Sequence, residues 1–140
     1  MRSIHGSLNQ LRPLIEVSIG PPPGADGLRE TCLALIDTGA TRTCLTQSLI
    51  GKLGLEAKAK LLVASATSGP ERRRAYGYTL GLFCSDENQG AKTLYVIGAE
   101  FVAPWFQDNG NFQVLLGMDI LSRGRLSFQM GGDFSFEFSF

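Results

Sequence analysis

Leu33-Ala34-Leu35-Ile36-Asp37-Thr38-Gly39-Ala40-Thr41 carries an apolar run directly into a carboxylate, a hydroxyl and a glycine. A strand rich in such residues is expected to be buried on both faces, here as the end of a strand spanning Leu28 to Asp37. An ionisable side chain at the end of a buried strand is costly unless it is hydrogen-bonded or does chemistry, and the glycine beside it lets backbone approach closely. The ordinary alternative is an aspartate that closes an Asx-turn on its own backbone, as many Asp-Thr-Gly sequences do.

Around this stretch the chain reads as β-rich. Seventeen glycines, six prolines and short apolar runs argue against long helices. Leu14 to Ile19 alternates apolar and polar residues and is stopped by Gly20-Pro21-Pro22-Pro23-Gly24, because proline cannot donate to a ladder. After the motif, Leu49, Ile50 and Leu53 fit one face of a short helix, with Thr46 as N-cap and Gly54 as terminator. Leu61 to Ala66 and Ala75 to Phe83 read as strands flanking the turn residues Thr67-Ser68-Gly69-Pro70-Glu71, which predicts a hairpin over about 61–83. Lys92 to Gly98 reads as a strand, Met118 to Ser122 as a short helix, and about 125–138 as a closing hairpin. In its last strand Phe134, Phe136, Phe138 and Phe140 share one face, expected to pack in the core or at a subunit interface. No repeats or linkers divide the chain, so residues 1–140 are read as one domain.

Composition narrows the function. Lysine plus arginine number 13 and aspartate plus glutamate number 13, which gives no global attraction to nucleic acid or anionic membrane. No apolar stretch approaches a membrane span or a signal peptide, and a cytoplasmic setting is expected. Cys32, Cys44 and Cys84 lack a CxxC spacing and read as small buried side chains. With His5 as the one histidine, a cysteine hydrolase built on Cys44 or Cys32 lacks a base and a metal hydrolase lacks ligands, so no metal or cofactor is expected.

A second element lies about 80 positions after the first: Val114-Leu115-Leu116-Gly117-Met118-Asp119-Ile120-Leu121. With both elements in this order, the sequence resembles the retropepsin-like, single-domain aspartic proteases, related to the retroviral proteases and to each lobe of pepsin. The resemblance implies a closed β-barrel or sandwich with one or two short helices, assembled as a C2 homodimer. Carried over by position, Asp37 is the catalytic carboxylate. Thr38 would cross-link two catalytic loops, and Gly39 and Ala40 would support the loop and contact substrate. Ser68 and Gly69 would lie at the tip of a substrate-covering flap, and Leu115, Leu116 and Gly117 would brace the loop from behind. Two departures from the retroviral pattern stand out: Thr41 and Met118 occupy the positions where those enzymes place an ion pair, and residues 67–71 do not reproduce a glycine-rich flap tip.

Peptide hydrolysis of this kind needs one carboxylate as base toward water and a second, protonated carboxyl as acid toward the carbonyl. Two carboxyls at contact share a proton and titrate as a pair. The chain has a single Asp-Thr-Gly, and Asp119 falls in the supporting segment, so a homodimer pairing two Asp37 residues is the simpler solution, with the terminal strands as interface. Ala40 provides no hydroxyl to favour the charged carboxylate, and activity at weakly acidic to neutral pH is expected. Arg72-Arg73-Arg74, beside the hairpin tip, reads either as a cationic lid favouring acidic substrates or as a solvated edge that resists aggregation. The expected function is an aspartic endopeptidase acting on extended peptides; the alternative is a non-catalytic peptide-binding or dimerisation module of the same fold.

Overall fold

The computed structural model describes residues 1–64, 69–86 and 89–140, the side chain of Gln89 excepted. Along the chain these form β1 (Arg2–Ser7), β2 (Leu14–Gly20), β3 (Glu30–Ile36), β4 (Cys44–Thr46), α1 (Gln47–Leu53), β5 (Ala57–Val63) and β6 (Glu71–Asp86). They continue as β7 (Gln89–Val96), β8 (Phe101–Phe106), β9 (Val114–Leu116), α2 (Met118–Leu121), β10 (Gly124–Phe128) and β11 (Asp133–Phe138). The fold is mainly β with two short helices. None of its described helices is long and apolar enough to cross a membrane.

Six strands form a closed barrel. The order β6-β2-β3-β9-β4-β8 returns to β6 through the antiparallel pairing of Ala75 to Tyr78 with Pro104 to Phe101. Closure leaves no open edge within the ring. A second arm, β1-β11-β10, extends from the far end of β6, where Arg2 and Ser3 pair with Asp86 and Ser85. Both arms meet on β6, whose first half pairs with β5 and β8 and whose second half pairs with β2 and β7.

The crossing of β3, β4 and β9 positions the candidate site. β3 and β4 are consecutive in the chain but not neighbours in the barrel, because β9 lies between them, parallel to β3 and antiparallel to β4. Residues 37–43, which join β3 to β4, must therefore loop over the end of β9, and they meet Gly117 and α2 as the chain leaves that strand. The core beneath contains Val17, Ile19, Leu45, Leu80, Leu82, Val114, Leu116 and Ile120, each fully buried. Phe134, Phe136 and Phe138 complete it at the other end: these rings fill the core, and Phe136 stacks on Phe138 with centroids 5.4 Å apart.

The structure revises several sequence expectations. β3 is not buried on both faces: Cys32, Ala34 and Ile36 point inward, whereas Leu33 is exposed and Leu35 half-buried, because no layer covers its outer side. The middle hairpin begins at Ala57, four residues before the predicted start, and its second strand runs on to Asp86. The expected end of β5 at Ala66 and the turn residues Thr67 and Ser68 lie outside the described residues. Strands β1, β4 and β8 do not follow from the sequence reading. Pro104 argues against an interior strand, yet β8 accommodates it where the ladder with β6 ends. Thr46 does occupy the N-cap position of α1, but its side chain makes no capping bond. Gly54 ends α1 as expected, with φ of 61°. The terminal strands pair with each other, Arg2 opposite Phe138 through Ser7 opposite Asp133. β11 also pairs with β10, so both its edges are taken within the chain.

Candidate active site

Asp37 is the first residue after β3. Its N–H donates to Leu116 O at 2.9 Å, which extends the β3–β9 ladder by one bond and fixes the position of its Cα. The chain then turns: Ala40 N–H donates to Asp37 O at 3.1 Å, and Gly39 N–H donates to the carboxylate Oδ1 at 2.9 Å. This is the Asx-turn of the ordinary alternative, so local turn chemistry and a reactive role share one geometry here. The carboxylate is half-buried, Thr38 and Gly39 are exposed, and Ala40 is half-buried. The loop therefore presents its polar groups outward from the barrel end.

The segment 116–119 braces this loop from behind. Met118 N–H donates to Ala40 O at 2.8 Å and Asp119 N–H to Thr41 O at 3.1 Å. Leu116 and Gly117 are buried, and Leu115 is half-buried opposite both Leu35 and Cys44. Gly117 fits because it has no side chain: a Cβ there would lie 2.7 Å from the Arg42 carbonyl carbon and 2.8 Å from Ala40 O. Both obstacles are backbone and cannot swing away.

Asp119 is consumed by the same brace. Thr43 N–H donates to both its carboxylate oxygens at 3.0 Å, and Thr43 Oγ1–H donates to Oδ1 at 2.7 Å. Thr43 Oγ1 in turn accepts Gly117 N–H at 3.1 Å. Thr43 is almost fully buried, and a charge-assisted network of this kind holds two loops together firmly. It cross-links the two loops and so accounts for how the loop is held although Thr41 and Met118 can form no ion pair. Sequence reasoning missed Thr43; the only signal was a hydroxyl following the motif at a spacing that returns it to the barrel interior.

Behind the network Tyr78 is wholly buried, and burial, reinforced by Asp119 and Cys44 and offset in part by the Thr43 hydroxyl, pushes its ionisation well above the ordinary range. Cys44 donates weakly to Arg42 O at 3.3 Å, and burial with the nearby Asp119 pushes its thiol up to about 11. Cys32 is pushed up to about 12 by burial and Glu30. Both thiols are neutral at physiological pH and unsuited to act as nucleophiles.

Around the loop, Trp105 of β8 lies opposite Leu45 of β4, and β5–β6 projects beyond the barrel. Gly69, the one tentative substrate contact of the hairpin tip that is described, is exposed; Ser68 is outside the described residues. A cavity of 370 Å³ lies elsewhere, lined by the proline loop, Leu53, Leu55, Lys58 and Glu100.

Residues 24–120 match the aspartyl protease family model. No curated protein sequence matches the chain. Among solved structures, a retropepsin-like aspartic protease from Rickettsia conorii superposes with a TM-score of 0.52 at 19% identity, covering 99% of this chain and 92% of that one. The family match spans both the loop after β3 and the brace after β9, and the structural match spans the whole barrel: the chain belongs to the aspartyl protease family and has the retropepsin-like fold.

Proposed function

We propose that the chain is an aspartic endopeptidase whose active site forms when two copies pair about a C2 axis and bring two Asp37 carboxylates together. One carboxylate takes a proton from water while the other, protonated, donates to the peptide carbonyl oxygen. The water oxygen bonds to the carbonyl carbon to give a gem-diol; the C–N bond then breaks as the amine takes the proton held on the dyad, and a gem-diol hydroxyl returns its proton to the carboxylates. The observation that carries this reading is the contrast between the two acids. Asp37 is half-buried at the outward end of β3 with one oxygen held by Gly39 N–H, whereas Asp119 spends both oxygens on Thr43. One chain thus offers one carboxylate to a substrate, and the chemistry needs two. Gly39 and Ala40 would line the substrate channel, and the β5–β6 hairpin would cover it.

The test is cleavage of a diverse peptide mixture by wild type and Asp37→Asn in parallel between about pH 4 and 8, with product termini identified. Wild type is expected to cut, and the variant to lose about a thousandfold or more. The optimum should be weakly acidic to neutral, as Ala40 implies; one well below pH 4 would count against that part. Sedimentation is expected to show a dimer. A folded, dimeric wild type that cuts nothing would turn the assignment toward a peptide-binding module, and a strict monomer even with ligand would remove the shared site.

A further inference from the structure

In a chain of zero net charge, the β5–β6 hairpin concentrates cations. Lys58, Lys60, Arg72, Arg73 and Arg74 lie on its strands, with Glu71 as the acid among them. The pairing divides them between two faces, since directly opposite residues in an antiparallel pair project to the same side. Lys60 opposite Arg74 and Leu62 opposite Arg72 share an exposed face, whereas Leu61 opposite Arg73 belongs to the other, where Leu61, Val63 and Arg73 are half-buried.

On that inner face Arg73 is fixed. Its guanidinium carbon sits 4.5 Å from the centre of the Trp105 ring, its Nη1–H donates to Trp105 O at 3.2 Å, and its Nε–H pairs with Glu71. Trp105 lies opposite Leu45, the residue after Cys44, so the guanidinium is held on the side of the hairpin that meets the loop carrying Asp37. The charges of Arg73 and Asp37 both act on the Cys44 thiol, consistent with that placement. Glu71, the carboxylate paired with this guanidinium, has a side chain that is 53% exposed, so the pair lies at the solvent boundary.

We propose that Arg73 is a specificity-determining residue, selecting peptides with an acidic side chain near the bond to be cut, with Glu71 holding its place until substrate arrives. The inference rests on the endopeptidase reading. A guanidinium already immobilised on an aromatic face loses little freedom on binding a carboxylate and can offer it two parallel N–H donors.

The test compares matched peptides, Glu against Gln at each position around a cleaved bond, with wild type, Arg73→Met and Arg73→Lys. At one position wild type should prefer Glu by about tenfold in kcat/KM. Arg73→Met should bring the ratio near one, and Arg73→Lys should retain part of it. A wild type that cuts without acidic preference, an Arg73→Met that keeps the preference, or an Arg73→Met that loses both peptides equally would overturn the proposal; the last would make Arg73 a clip for the hairpin alone. If wild type cuts nothing, the endopeptidase reading falls separately. Equilibrium binding of a positional-scanning Glu/Gln peptide set to wild type and Arg73→Met then decides the Arg73 inference by the same ratio.

Discussion

On the endopeptidase reading proposed above, the loop after β3 and the β5–β6 hairpin would both face substrate, and they are attached in different ways. Residues 37–43 are joined to 116–119 by main-chain bonds at Asp37, Met118 and Asp119 and by the buried Thr43–Asp119 network. The hairpin leaves the β8 ladder at Ala75 opposite Pro104, and beyond that point Arg73 reaches back to Trp105 with its side chain. Main-chain bonds and a side-chain network hold the loop's backbone directly, whereas beyond its ladder the hairpin is tied back to β8 through a side chain. A reacting carboxylate has to be held to fractions of an ångström, whereas a covering element must let substrate in. The difference in attachment matches that division of labour.

Three substitutions probe the contrast, in decreasing size. Gly117→Ala should break the brace, because its methyl meets backbone on the opposing loop; a cost of about 3 kcal/mol is expected, read as a fall of about 10 °C in Tm. A variant as stable as wild type would show that the two loops can separate without penalty. Thr43→Val keeps the shape but removes the donor to Asp119 and leaves Gly117 N–H buried without an acceptor, so about 2 kcal/mol should be lost in denaturant unfolding. Thr46→Val, three residues along, is the control. Thr46 Oγ1 is buried with no partner among the described residues, so its replacement by a methyl should leave stability within about 0.5 kcal/mol or raise it. Similar losses at Thr43 and Thr46 would mean that hydroxyl burial, and not the network, is what the protein requires.

The sequence made part of this legible. Period-two alternation located β2 and the ring-bearing β11, an apolar run located β3 though not its one-sided burial, and the helix signals located α1 and α2. β8 escaped because Pro104 contradicts a strand locally and is tolerated only where the β6 ladder ends. β1 escaped because Ser3, His5 and Ser7 alternate with a single fully buried apolar residue, Ile4, and the strand is specified by its partner β11. At the site, the motif exposed Asp37 and the second element exposed Gly117, but Thr43 could not be singled out. Its importance arises from a carboxylate 76 positions away in the chain.

The placement of β1 also bears on how the molecule comes to be folded. Its residues pair with β11 from Arg2 opposite Phe138 to Ser7 opposite Asp133, and touch β6 only at Arg2 and Ser3. β1 cannot complete its sheet until it meets residues 133–138, and the parallel β3–β9 pair likewise joins segments far apart in the chain. Loops of that length are slow to close, so folding in roughly milliseconds to seconds is the kinetic signature this topology carries.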